Sequence, residues 1–506
     1  MQTHLFSLTA SLEQIQEGLG ALLPELVLAG WCLLVILVDL FRATSVKRLL
    51  PGLTLLGLGV VLALQITEGT SPAVIKTTEP FFLGLLVKDG LASYTGVLFT
   101  LAGIFTILLS LGYRTFKTPL FGQGEFYGYI LVMILGLNLM VKSASLLMLF
   151  VSIELVSIAG YLLTMIVKGH VRSTEAGIKY ILYGTVAAGV MLYGMSLLYG
   201  FTGSLQFLSP AFWQAMNHVF EPALTVALVL TFAGLLFKIS AAPFHFWAPD
   251  VYENTPTPVV ALFSTAPKIA GVVVLLRFVE VLKRPASNPL FFDGLLFVVG
   301  IAVFTLVIGN FTALWQTKPK RMLAYSSVSH AGFMLAACLS LSGDNLNNLL
   351  FYVTVLVFTN FGLFFLIQVF EDNLGVFNFP EFSGWGRQFP FLGIVAMVFL
   401  ISLTGLPPTA GFTAKLLVFS SVWQTYQTSG SALMLLLLVA GLLFTGISFF
   451  YYIKIPYFLF FKRNLRHDKK VIPLTSKILL VLLALPVLLF FFRTDWLLNA
   501  IQLFIK

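Results

Sequence analysis

Cysteine is nearly absent, with two residues, Cys32 and Cys338, in a chain of 506. Both fall inside apolar runs, so neither a disulfide framework nor a cysteine metal site is expected. Charge is also scarce, at 10% of residues, and no polar stretch is long enough to form a soluble domain. The first 20 residues hold no lysine or arginine and no apolar core ending in a cleavage site, so no secretory leader is expected. Gly122-Gln-Gly124 follows no strand, which excludes a nucleotide loop. Cysteine clusters, haem-ligand pairs, a P-loop and a flavin fingerprint are missing as well. The chain is expected to carry no redox cofactor or metal of its own.

Hydrocarbon fills the space. Hydrophobic residues make up 58% of the chain and the mean hydropathy is +0.96. Apolar runs of about 20 residues recur throughout, which defines an all-α polytopic membrane protein. The net charge of +9 reflects topology, because lysine and arginine lie in short loops between apolar runs. Fourteen spans are expected, at roughly 22–41, 48–66, 91–112, 125–141, 144–166, 175–200, 222–247, 257–282, 289–314, 320–341, 346–370, 392–425, 432–461 and 474–493. The twelfth is too long for one straight helix, and Gly405-Leu-Pro-Pro408 splits it. Pro243 removes a backbone donor from the seventh and breaks it too. Paired interrupted helices are the sequence mark of a transport path.

Odd-numbered loops carry most of the positive charge, including Arg42, Lys47, Arg114, Lys168, Arg172, Lys318, Arg321 and the Lys462–Lys470 run. The positive-inside rule then puts both termini on the non-cytoplasmic side. Val156-Ser-Ile-Ala-Gly-Tyr161 in the fifth span recurs as Val328-Ser-His-Ala-Gly-Phe333 in the tenth. Five spans separate the copies, so the second runs the opposite way through the membrane. The two broken spans are five apart as well. Residues 1–120 thus hold spans 1–3, 121–285 a first inverted repeat of spans 4–8, 286–465 a second of spans 9–13, and 466–506 the last span.

Four charges stand near mid-membrane: Glu154, Lys238, Lys268 and Lys415. A lysine at that depth costs several kcal/mol and is a functional hypothesis by default. His330 lies mid-span in the tenth, and His245 just past the break in the seventh. A row of such groups in the membrane plane is suited to proton hopping, with Glu154 pairing Lys238 and the histidines as candidate relays. A buried Lys–Glu pair can serve only to fix helix register. Three lysines and two helix breaks weigh against that reading. Asp39, Arg277 and Glu280 sit toward span ends and read as anchors or local pairs, and Glu175–Lys179 as an i,i+4 pair.

Several stretches resemble one family. They are LFVSIELVSIAGYLL around Glu154, the run Lys238 to Pro258, Ala266-Pro-Lys268, Lys320 to Gly332, and Gly405 to Lys415. Together they are similar to the antiporter-like subunits of proton-pumping NADH:quinone oxidoreductase, and to subunits of multi-subunit cation/proton antiporters. Lysine at both 268 and 415, and a chain stopping after span 14, look most like the N-type subunit. The resemblance implies 14 helices with two inverted five-helix repeats, and proton-path roles for Glu154, Lys238, Lys268 and Lys415. It also implies a bilayer-embedded partner set of further antiporter-like subunits, in a prokaryotic plasma membrane or a thylakoid. Quinone, NAD(P)H, flavin and iron–sulphur clusters would belong to partner subunits. A cation/proton antiporter subunit and a purely structural membrane scaffold are the alternatives.

Overall fold

A computed structural model describes residues 18–41, 44–70, 80–117, 122–282, 289–340, 345–462 and 470–505. The first 17 residues, on which the expectation of no leader rests, lie outside that set. So do Arg42, Lys76, Lys283, Arg284 and the basic run Arg463–Lys469.

The expected fold class holds. Helices cross in sequence: α1 (Leu23–Leu40), α2 (Thr44–Gly69), α3 (Gly90–Gly112), α4 (Gln123–Lys142), α5 (Leu146–Thr164) and α6 (Val171–Thr202). The seventh crossing is α7 (Glu221–Ile239) followed by α8 (Trp247–Asn254), and the eighth is α9 (Thr257–Phe263) followed by α10 (Ala266–Leu282). Then come α11 (Pro289–Leu314), α12 (Pro319–Leu339) and α13 (Asn345–Val369). The twelfth is α14 (Pro390–Thr404) plus α15 (Ala410–Ser429), followed by α16 (Ala432–Tyr452) and α17 (Leu474–Phe492). A final helix, α18 (Thr494–Ile505), buries Leu497, Ile501 and Phe504 while Trp496 and Leu503 stay exposed. The Phe504 ring packs edge-on against Tyr94 of α3 at 5.5 Å.

Both expected breaks are present and are built alike. Ser240 (φ 59°) and Gly405 (φ 83°) take the left-handed conformation. The next amide then folds back five residues, Ala241 N–H to Leu236 O at 2.9 Å and Leu406 N–H to Ile401 O at 3.1 Å. This closes each helix with the bond of a Schellman cap. The exposed backbone groups must find partners in a membrane. At the first break, Thr305 Oγ1 of α11 accepts from Ala242 N–H (3.0 Å), and Trp247 Nε1 donates to Phe237 O (3.0 Å). At the second, Lys415 Nζ donates to Thr404 O at 2.9 Å.

A third interruption was not expected. The eighth span is not one helix, because Ser264 and Thr265 form a turn between α9 and α10. Pro267 has no N–H to offer Phe263 O, which ends the first piece. The Ser264 and Thr265 hydroxyls both bond back to Ala261 O, at 2.8 and 3.1 Å, so the turn is satisfied locally. The crossing Thr257–Val279 is wholly buried in protein, whereas most residues of α1 and α17 are not buried within this chain. The third interruption is thus enclosed by protein, whereas the break in the twelfth crossing leaves Leu406, Pro407 and Pro408 exposed.

The N-terminal helices are bolted to the rest by charge. Arg277 of α10 makes a bidentate pair with Asp89, the N-cap of α3, at 2.7 and 3.0 Å, and also donates twice to Val141 O. Lys142 pairs with Glu25 at 2.6 Å beside it. Arg277 is therefore the local pair expected of it. Burial works to raise the Asp89 carboxyl, but the Arg277 guanidinium outweighs it and holds the group below its ordinary value. With a depressed folded pKa, this contribution is complete above the unfolded carboxylate value and fades as pH falls through the folded one. Arg277→Ala leaves Asp89 buried and unpaired, at a cost of about 3–5 kcal/mol. The expected outcome is a sharp fall in assembled protein in isolated membranes, read on native gels. Wild-type levels would refute the clamp.

Candidate functional site

Lys238 stands in the last turn of α7, against the first break. It is 2% exposed, and its Nζ donates to Ser157 Oγ at 3.1 Å. The Ser157 hydroxyl in turn donates a hydrogen bond to Ile153 O at 2.7 Å. Ser157 lies three residues on from Glu154 in α5, which puts both on one helix face. Glu154 and Lys238 act on each other electrostatically but form no direct ion pair among the described residues. Glu154 Oε1 is buried with no hydrogen-bond partner.

Lys268 opens α10, just past the third break, and is 1% exposed. Its Nζ donates to the Ser327 carbonyl in α12 at 3.0 Å and lies 5.8 Å from the Tyr252 ring centroid. The hydroxyls of those two neighbours are both buried and lie within reach of each other. His245, in the first break, is within electrostatic reach of Lys268, and its Nδ1 is unpartnered.

His330 feels both Lys268 and Lys415, which places it between the two lysines in the row. Its ring nitrogens are fully engaged: Nδ1 with Tyr352 OH at 2.6 Å and Nε2 with Tyr452 OH at 3.2 Å. Tyr452 OH in turn meets Ser326 Oγ. Lys415 ends the row, 4.8 Å from the Phe333 ring centroid and bonded to the C-terminal carbonyl of α14. The negative end of a helix favours a cation there. Gly405 makes the contact possible, since a Cβ at that position would lie 2.6 Å from Lys415 Cδ.

The six residues singled out from sequence are thus all buried or half-buried around the breaks, in the order Glu154, Lys238, His245, Lys268, His330, Lys415. Sequence reasoning missed Ser157, Ser327, Tyr252, Tyr352 and Tyr452. Ser157 had a signal, since it recurs as Ser329 in the repeated hexapeptide; the tyrosines had none. An ammonium carries three donors, yet each of these lysines has one protein acceptor, a neutral oxygen. Buried polar groups without protein partners are normally satisfied by water. The arrangement is a set of buried titratable side chains, each lysine held by one neutral oxygen near a helix break or turn. No cluster of His, Cys, Asp or Glu among the described residues has the makings of a metal site.

Residues 143–445, more than half of the chain, match the family described as NADH:quinone oxidoreductase/Mrp antiporter, transmembrane. The NADH-quinone oxidoreductase subunit N 2 of Chloroherpeton thalassium is 36% identical over 446 residues, covering 87% of this chain and 85% of that one. The NAD(P)H-quinone oxidoreductase subunit 2 of Thermosynechococcus vestitus is 38% identical over 440 residues, 87% and 82% of the two chains. A chain of respiratory complex I from Thermus thermophilus superposes with a TM-score of 0.75 at 30% identity, over 94% of this chain and 99% of its own. This chain is an integral, multi-pass membrane protein and belongs to the NADH:quinone oxidoreductase/Mrp antiporter transmembrane family. The two curated relatives named above are an N-type subunit and a subunit 2, as the motifs had implied.

The Ser157 contact gives a direct test. Ser157→Ala removes the one acceptor that Lys238 has among the described residues, and hydrogen bonds to charged groups contribute roughly 1.5–3 kcal/mol. Assembly is expected to persist while proton uptake into vesicles falls, and Ser157→Thr, which keeps the hydroxyl, is expected to restore it. Unchanged uptake in the alanine variant would remove Ser157 from the path.

Proposed function

We propose that this chain is a proton-translocating membrane-arm subunit of an NAD(P)H- or ferredoxin-driven quinone oxidoreductase. Electron transfer takes place in partner subunits, which hold the flavin, iron–sulphur clusters and quinone; other antiporter-like subunits sit beside it in the bilayer. The observation that carries this reading is the row of three buried ammonium groups bonded only to neutral oxygens. A structural lysine would be neutralised by a carboxylate, as Lys142 is by Glu25. The path lysines are not.

Glu154 sets the charge state of Lys238 across the Ser157 hydroxyl. Lys238 hands its proton toward Lys268 past His245, and Lys268 toward Lys415 past His330. Desolvation opposes each ammonium and the Glu154 carboxylate favours the nearest one, so moving the carboxylate shifts the proton along the row. His330, locked between two tyrosine hydroxyls, exchanges protons without turning its ring.

The repeat division, residues 121–285 against 286–465, is supported by the matched hexapeptides and by the two identically closed helix breaks. Termini on the non-cytoplasmic side of a prokaryotic plasma membrane or a thylakoid follow from the loop charges. The contact of α18 with the start of α3 agrees, since it sets the C-terminus on the side of the charge-poor loops.

Lys268 separates relay from counter-ion. Lys268→Ala is expected to cut proton uptake driven by the assembled complex while leaving assembly intact. Lys268→Arg is expected to fail equally, because guanidinium keeps its proton with a pKa above about 12. Near-normal pumping with arginine would make Lys268 a structural cation and overturn the path.

A further inference from the structure

Away from the row of lysines, the side bearing the positive loops is hollow. One cavity of about 250 Å³ is walled by Glu253, Thr255, Lys320 and Glu371, among others. It shares Tyr113, Thr115, Glu371 and Phe377 with a second cavity of about 840 Å³. At their common wall, Glu371 Oε2 accepts from Lys320 Nζ at 2.9 Å and from Thr257 Oγ1 at 3.0 Å. Both charged side chains are 11% exposed. One carboxylate therefore ties together the end of α13 and the starts of α12 and α9.

Two helices lead inward from this point. On α12, Lys320 lines the cavity and Ser327, seven residues on, accepts from Lys268. Two helical turns bring those positions onto one stripe, about 10 Å apart along the axis. At the end of α8, Thr255 lines the same cavity, and Tyr252, three residues back, lies against Lys268. Thr255 Oγ1, Tyr252 OH and Ser327 Oγ are all buried, at 2%, 0% and 3% exposure, and the Tyr252 and Ser327 hydroxyls lie within reach of each other. Three buried hydroxyls on the two helices that lead from the cavity to Lys268 are suited to line a proton wire. About three waters at hydrogen-bond spacing would bridge the gap.

We propose that Glu371, held by Lys320 and Thr257, is the loading carboxylate at the mouth of this cavity and the group through which Lys268 is reprotonated. This rests on the proton path of the preceding subsection. A proton from the aqueous side adds to the Glu371 carboxylate and dissolves its ion pair, while Lys320 stays protonated. The same proton then passes along the hydroxyl-lined gap to the neutral amine of Lys268, and Glu371 returns to its pair. Two other acids at this face are less suited to the exchange. Glu253 is bound by both Lys318 and Arg321, and Asp250 by Arg321 and Lys179. Asp372, next to Glu371 in the chain, lines the second cavity and accepts from Arg114 N–H at 3.1 Å, which makes it a feeder to Glu371. Glu371 has one cation and one neutral hydroxyl.

The test compares proton uptake per electron in vesicles carrying the assembled complex, for wild type, Lys268→Ala, Glu371→Gln and Glu371→Asp. Glu371→Gln is expected to lose the same share of uptake as Lys268→Ala, and Glu371→Asp to keep most of it. Wild-type uptake in Glu371→Gln beside a loss in Lys268→Ala would overturn the inlet and leave the path standing. Wild-type uptake in both would sink the path itself. If Glu371→Gln does not assemble, Thr255→Cys is treated with a membrane-impermeant thiol reagent from the side of the positive loops. Modification with loss of uptake supports the inlet; modification without loss, or no modification, overturns it.

Discussion

Three ammonium groups without a bound carboxylate, deep in a hydrocarbon solvent, set the terms for the whole molecule. The cost of such a charge is met here by dipoles. Lys238 has a hydroxyl, Lys268 a helix carbonyl and Lys415 the end of a broken helix. Dipoles lower the energy of the charge without fixing it, since none carries a counter-charge to be left behind when the proton goes. One of these acceptors exists only because the chain stops beside it, and a second lysine stands at a turn. Thr404 O is free because α14 ends there, and Lys268 stands where α9 gives way to α10. The breaks and the lysines are one device.

That device explains which helices are buried. A freed carbonyl facing lipid would be several kcal/mol too costly, so the eighth crossing is enclosed by others, and in the more exposed twelfth the freed Thr404 O is taken by Lys415. The N-terminal helices and α17 supply much of the outer coat. The buried clamp of Arg277 on Asp89 and Val141 fixes α10, which carries Lys268, to α3 and α4 at its far end. Its charges are fully matched. Within one helix, then, a neutralised pair does the holding and an unmatched lysine is left able to exchange.

Most of the architecture could be read from the sequence, because a membrane allows few alternatives. Apolar run length located the crossings, and proline placed the two breaks at Pro243 and Pro407–Pro408. The third break escaped because Pro267 sits within an unbroken apolar run, and a serine–threonine turn looks the same there as a helix. At the site, charge at depth was conspicuous and located all six residues. What could not be read was contact. Ser157 taking the place of a direct Glu154–Lys238 pair depends on side-chain reach. The tyrosines around His330 come from α13 and α16, which only the packing brings beside α12. Lys320 and Glu371 lie 51 positions apart and near span ends, where charges are ordinary.

The straightness of α12 carries a consequence of its own. Lys320, Ser327 and His330 meet the cavity, Lys268 and the tyrosine pair in turn, all from a single unbroken helix. Their roles therefore depend on angular phase as much as on identity. Each residue added to or removed from that stretch would rotate everything beyond it by about 100°. Side chains along α12 can vary wherever volume permits, but its length between Lys320 and His330 cannot drift by even one position. In this protein the gap-free interval is as much a part of the machinery as any residue within it.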